Sequence, residues 1–474
     1  MVESFMNTAD NNVCALHDKH KIYIYFVAIF MLLAGCASPP PRHLNLMPAP
    51  DVYNDKIFTP FSDEKDIEAA PYRGILYATD RAPVNPNAKK DSDDRFYSSE
   101  RGHLLRLGVA KIELGEDDFS WEEARKISLA KNRPDEYPLK VTDINELGIF
   151  HGSYHQFVDK DHLATKSEKP AQRFTDLINK KLEISKKKDI FIYIPGYKVV
   201  FENPVLVSTE LWHYLGYEGA FIAFCWPSTP KRTAYFADAE TTLTSAYQLR
   251  LFLEYLARDT KAERINIIAY SQGTRLITEA MHDIALINLS NTRKEVQSSL
   301  RIGNVILVGS DIDREVMGAY IVDGLLKVPE HLTIYASAKD KALDMSKFFF
   351  GRSRVGQMFA QGEMPSTTTE FLFQTQEMSV INVTDAEGAE TENGHRYFRK
   401  SPWASSDILM TLRYDLLPAN RGLVRSVDNP IWTFPPDYIE RLRSAIIEAN
   451  PALKDALSRQ KISNNKMKPD DSAN

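Results

Sequence analysis

Residues 265–275 read Ile-Asn-Ile-Ile-Ala-Tyr-Ser-Gln-Gly-Thr-Arg, an apolar β-branched run that meets a serine between small residues and then turns helical. A strand that ends in a serine and passes at once into a helix holds that hydroxyl at the top of an α/β sheet, in a nucleophile elbow. The turn is tight, so residues two before and two after the serine must be small or they strike the neighbouring strand and helix. Ala269 and Gly273 meet that demand around Ser271, with alanine where glycine is commoner. The five-residue pattern alone is loose, and its surroundings carry the argument. From Asp189 onward, short apolar runs alternate with helical stretches, one of them near 242–258, which predicts a mostly parallel sheet flanked by helices. Two earlier runs, 74–78 and 104–110, predict antiparallel opening strands.

Serine chemistry needs a histidine to take the hydroxyl proton and a carboxylate to hold that histidine, and with such an elbow they follow in the order Ser, Asp/Glu, His. Of 11 histidines only His282, His331 and His395 lie beyond Ser271. His282 falls in the elbow helix, and His331 at the wrong end of the strand-like run 332–337. His395, in a loop after the strand-like run 378–383, is the candidate base. Asp340 lies past the carboxyl end of the 332–337 run, where ligands gather on a parallel sheet, and is the favoured acid. Asp311, ending the preceding strand, is the alternative acid. For Asp311 and Asp313 a capping role ahead of the next helix is the better reading. The oxyanion needs two backbone N–H donors. Gln272 supplies one, and the amide of Tyr197 or Lys198, after the apolar run 189–194 and its Pro-Gly turn, supplies the other.

Five motifs now stand in order: Pro195-Gly196-Tyr197-Lys198, Trp226-Pro227-Ser228, Ala269-Tyr270-Ser271-Gln272-Gly273, the stretch 335–343 with Tyr335-Ala336-Ser337 and Asp340, and His395-Arg396-Tyr397-Phe398. Together they resemble an uncharacterised family of bacterial α/β hydrolases, many of them predicted lipoproteins or secreted proteins. The family pattern is His-Gly-Tyr-Asn, Trp-Pro-Ser, Ala-His-Ser-Met-Gly, Tyr-Ala-Ser-x-x-Asp-x-Ala-Leu and a late histidine before Tyr-Phe. The resemblance spans roughly Leu46 to Trp432, and implies an α/β-hydrolase fold with Ser271 as nucleophile, Asp340 as acid and His395 as base. Two departures, Pro195 for the usual histidine and Lys198 for the usual asparagine, alter the oxyanion loop and its electrostatics.

At the amino terminus, Lys19-His20-Lys21 precede an apolar run over 22–33, too short to cross a bilayer but suited to an export signal. It ends Leu33-Ala34-Gly35-Cys36, which resembles the lipobox of bacterial lipoproteins. That resemblance implies cleavage before Cys36, lipid (diacylglycerol and a further acyl chain such as palmitate) on Cys36, and, with Ala37 next, sorting to the outer membrane. Acyl chains anchor because each buried methylene adds about 0.8 kcal/mol. The expected organisation is a signal peptide over 1–35, a lipidated proline-rich tether over 36–50, an extension contributing the first strands over 51–188, the catalytic core over 189–445 and a polar tail over 446–474. Of three cysteines, Cys14 leaves with the signal and Cys36 carries lipid. Cys225 is left alone, as a small core residue with no disulfide partner.

A 474-residue chain with 43% hydrophobic residues can bury a large core, and its net charge of -6 argues against nucleic acid. His151, His155, Asp159, Asp161 and His162 have metal-ligand chemistry but no matching distant ligand, and read as a polar loop; no metal or cofactor is expected. Residues 228–236 and 343–373 are the candidates to overhang the serine, the second with Lys347-Phe348-Phe349-Phe350, Arg352 and Arg354 to hold an acyl chain and face anionic headgroups. The expected activity is hydrolysis of a small ester or lipid by a membrane-tethered carboxylesterase or lipase-like enzyme. The alternatives are acyl transfer or amide hydrolysis on the same triad, or a catalytically silent cell-envelope scaffold.

Overall fold

The computed structural model describes residues 43–454, apart from 55–57, 62–73, 85–93, 116–120, 131–132, 134, 159–166, 360–363 and 451–452. Eleven strands form a single sheet in the order β1-β4-β3-β2-β6-β5-β7-β8-β9-β10-β11. They are β1 (His43–Asn45), β2 (Ile75–Pro83), β3 (Tyr97–Leu114), β4 (Pro138–Ile149), β5 (Asp189–Ile194), β6 (Ala220–Phe224), β7 (Arg264–Tyr270), β8 (Ile302–Val308), β9 (His331–Ala336), β10 (Met378–Asn382) and β11 (Trp432–Thr433). From β2 through β11 neighbouring strands are parallel. β2 and β3 pair antiparallel, as the two early runs predicted, and β4 and β1 extend that antiparallel part beyond them.

Successive side chains on the central strands point to opposite faces, and both faces are covered. Phe191, Tyr193, Ile268, Ile306 and Tyr335 pack toward the helices Glu202–Tyr214, Pro402–Tyr414 and Tyr438–Ala449. Ile190, Ile192, Ile267, Leu307 and Ile334 pack toward Lys169–Ile184, Tyr235–Asp259 and Gly273–Ile287. Cys225 is a fully buried free thiol just past β6, and burial pushes its pKa up, away from reactivity.

Three boundaries differ from the sequence reading. The helix expected near 242–258 begins at Tyr235, because its first turns bury polar Asp238, Thr241, Thr242 and Ser245 while Phe236 and Leu243 stay exposed, which hides the apolar period. The tether cannot run to residue 50: His43–Asn45 pairs with β4, Leu46 and Met47 are buried, and the Met47 amide donates to Glu210. The core likewise passes residue 445, since Tyr438–Ala449 buries Ile446. Cys14, the apolar run over 22–33, Cys36, Asp159, Asp161, His162 and residues 455–474 lie outside the described residues. No helix among the described residues is long and apolar enough to cross a membrane.

A network near the carboxyl end of the sheet holds the last segment in place. Asp407 is fully buried and accepts from Tyr335 (2.5 Å), Arg421 (2.7 Å) and Tyr438 (2.7 Å), so β9 is fixed to three later elements through one carboxylate.

Candidate active site

Parallel strands put their carboxyl ends on one edge, and that edge collects the candidate residues. Ser271 follows β7 with φ 52°, a left-handed conformation that side chains other than glycine adopt rarely and at a cost. The chain turns there from strand into the helix Gly273–Ile287. A Cβ on Gly273 would stand 2.3 Å from the Pro195 carbonyl oxygen, so the small residue two after the serine is demanded by the adjoining loop. The turn is held by the Ser271 amide donating to the Val308 carbonyl (2.9 Å) and by the Thr274 hydroxyl donating to the Ser271 carbonyl (2.6 Å).

His395 and Asp340 meet. The His395 Nδ1 is 2.6 Å from Asp340 Oδ2, and the ring lies against Tyr270, the residue before Ser271, with centroids 4.9 Å apart. Ser271 and His395 keep 7% and 8% of their surface, against 1% for Asp340, so the first two can be reached and the carboxylate is sealed behind them. Asp340 serves twice: its other oxygen, Oδ1, accepts from the amides of Ala342 (3.1 Å) and Leu343 (3.0 Å) and caps the helix Lys341–Phe350.

Gly309, one residue past β8, gives this pair its room. Its φ is +53°, and a Cβ there would stand 2.9 Å from His395 Cε1, 3.0 Å from Nδ1 and 3.4 Å from Asp340 Oδ2. Gly309→Ala therefore displaces the imidazole as well as straining the backbone. With His395 as the base, turnover should fall by about 100-fold, the scale of a misplacement near 1 Å, with far smaller loss of substrate affinity. Steady-state kinetics on folded variant check this, and an unchanged kcat would mean that His395 is not held where it acts.

Asp311, the alternative acid, does not face His395. Its Oδ2 accepts from Tyr235 (2.6 Å) and Arg275 (3.2 Å), and its Oδ1 from Ser346 (2.6 Å), with Arg354 3.7 Å away. It is no helix cap either; Asp313 is, through the amides of Glu315 and Val316. Asp311 instead joins the elbow helix to both segments expected to overhang the serine. Arg354, expected to face headgroups, is 2% exposed beneath Phe350, while Arg352 is exposed and paired with Glu315. Phe348 is exposed, and Phe350 packs on Tyr235 and Phe236.

The loop after β5 lies against the nucleophile, since a Cβ on Gly196 would be 2.8 Å from Ser271 Cβ and 3.4 Å from its Oγ. The next amide belongs to Tyr197. Neither it nor the Gln272 amide donates to any group among the described residues, which leaves both N–H groups unspent beside the serine. Lys198 has φ 63°, a left-handed conformation that asparagine tolerates better than lysine. It is half-buried, and burial together with the charges of Arg232 and Arg396 lowers its pKa.

A family model described as an alpha/beta hydrolase of unknown function (DUF900) matches residues 170–413. The chain belongs to this α/β-hydrolase family. No curated protein matches it. The matched region of the hydrolase contains Ser271, Asp340, His395, Gln272 and Tyr197, and leaves the strands β1 to β4 outside. Family membership supports a hydrolase function. A cavity of about 300 Å³ opens in this hydrolase between Phe236, Ile312 and Phe350 on its apolar side and Glu240, Arg275 and Glu279 on its charged side. Ser271 is not part of its lining.

Sequence reasoning missed Gly309 and the roles of Tyr235, Arg275 and Tyr397. The Tyr397 hydroxyl accepts from the Gly309 amide (2.7 Å) and donates to the Tyr335 carbonyl (2.9 Å). Its signal was present as the Tyr-Phe pair after the late histidine, a motif whose mechanical reason the chain alone does not reveal.

Proposed function

We propose that this protein is a serine hydrolase of ester bonds, in which Ser271 attacks the ester carbonyl, His395 takes the proton and then returns it to the leaving alcohol, and Asp340 orients and stabilises the imidazolium. The amides of Gln272 and Tyr197 bind the oxyanion. Water then attacks the acyl-enzyme, with His395 again as base, and releases the acid. The observation that carries the reading is the 2.6 Å His395–Asp340 pair beside a serine held in a left-handed elbow. A fluorophosphonate probe, which reports an activated serine, is the test: an adduct mapped to Ser271 supports the reading, and none in folded protein removes it.

The proposal extends to location. Transfer of a diacylglyceryl group to the Cys36 sulfur, cleavage before Cys36 and acylation of the new amino terminus would place the enzyme on the outer membrane, facing the periplasm, with a lipid or small ester as substrate. Cys36→Ser should abolish incorporation of an alkyne-tagged palmitate and move the protein from the membrane pellet to the soluble fraction. Unchanged fractionation of that variant would rule out the lipid anchor.

A further inference from the structure

We infer that Lys198, Arg232 and Arg396 form a cationic rim that selects esters bearing an anionic oxygen group, a carboxylate or a phosphate; this deepens the hydrolase reading and rests on it. Each cation is tied to the site by its place in the chain. Lys198 follows Tyr197 in the loop whose Gly196 lies against Ser271. Arg396 follows His395. Arg232 opens the short 3-10 turn Arg232–Ala234 that leads into Tyr235, whose ring meets that of Tyr197 edge-on at 5.2 Å.

The loops carrying Lys198 and Arg232 are held together from below. The Val199 amide donates to the Ser228 hydroxyl (3.2 Å), and the buried Arg81 guanidinium donates to the carbonyls of Val199 (2.9 Å) and Ser228 (3.1 Å). These ties hold the Lys198 and Arg232 loops side by side, and the lowered pKa of Lys198 comes first from its burial and then from the charges of Arg232 and Arg396.

Surrounding carboxylates do not neutralise the rim. Asp311 is engaged by Arg275, Tyr235 and Ser346, with Arg354 close by, Asp238 accepts from the Thr229 amide (2.8 Å), and Glu392 is divided between Arg396 (3.8 Å) and Lys400 (3.3 Å). Among the described residues, Lys198 and Arg232 have no carboxylate within ion-pair distance. Lys198 also holds its φ of 63° against the steric preference of its side chain. The repulsion among these cations is a cost that a bound anion would offset.

The test compares p-nitrophenyl hemiglutarate with neutral p-nitrophenyl hexanoate in wild type and in the double variant Lys198→Gln/Arg232→Gln, with melting curves to establish folding. The ratio of the two kcat/KM values should favour the anionic ester in wild type. It should fall by about tenfold in the double variant, and toward the same value in wild type as salt rises from about 0.05 to about 0.5 M. Dioctanoyl phosphatidylglycerol against the matching phosphatidylcholine distinguishes a lipid headgroup from a free carboxylate as the source of the charge. A ratio that ignores both substitutions and salt overturns the proposal. Calorimetric titration of glutarate into Ser271→Ala protein judges the rim without turnover: binding weakened about tenfold by the double substitution supports it, and binding that is absent or unchanged sinks it. Failure of Ser271 to label, by contrast, counts against the hydrolase reading alone.

Discussion

Ser271→Ala protein should form no fluorophosphonate adduct and should lose ester turnover by roughly 10⁶-fold in kcat, while melting where wild type melts. The substitution removes the nucleophilic oxygen and nothing that holds the turn: the Cβ against Gly196, the amide bonded to Val308 and the carbonyl bonded to Thr274 all remain. Alanine also keeps the same left-handed strain as serine, so stability is a clean control. His395→Ala should reach nearly the same floor by leaving the hydroxyl without a base, since triad members act as one unit. Turnover that survives Ser271→Ala would assign the activity to another group, and a wild type that is folded but unlabelled would favour a silent scaffold.

Asp340→Asn should lower kcat by about 10⁴-fold with little change in stability. An asparagine amide presents N–H toward Nδ1, which stabilises the wrong imidazole tautomer, and its oxygen still caps the following helix through Ala342 and Leu343. Asp340→Ala loses that cap as well, at a further cost of about 1 kcal/mol. Asp311→Asn should show the reverse profile. It leaves Arg275 and the buried Arg354 without their counter-charge, a loss of about 3–5 kcal/mol when a buried pair is broken, while turnover per folded molecule falls far less than with Asp340→Asn. Active-site titration beside thermal melts separates the two. A larger catalytic loss with Asp311→Asn would reassign the acid.

The sheet was legible in the chain because its central strands are buried on both faces and so read as continuous apolar runs between turn signals. The elbow at Ser271 and the pairing of Asp340 with His395 were legible because a strand must end at the first and the order of strand ends leaves few partners for the second. Charge placement was not. Arg354 reads as a surface residue among Arg352, Ser353 and a glycine, and only the tertiary structure shows it buried beneath Phe350 and close to Asp311. The start of the helix at Tyr235 was hidden for a related reason: its first turns bury hydroxyls and a carboxylate, which carry no apolar period. Leu46 and Met47, read as part of a tether, are buried beside Glu210 and Tyr214, partners more than 160 positions away.

The Tyr397 hydroxyl bridges the ends of β8 and β9, and Phe398 beside it packs on Tyr270 at 4.9 Å and Tyr193 at 6.2 Å. The histidine loop is thus moored immediately after His395, and its long approach over 384–394 has no need to position the base by itself. Within that approach Ala386, Ala389 and Gly394 are packed and the Asn393 carbonyl accepts from the Lys341 amide, so the exposed pair Glu390 and Thr391 is where a change of length should leave the base in register. The wall of the site can therefore be lengthened at that one exposed point while His395, Tyr397 and Phe398 stay where their packing holds them.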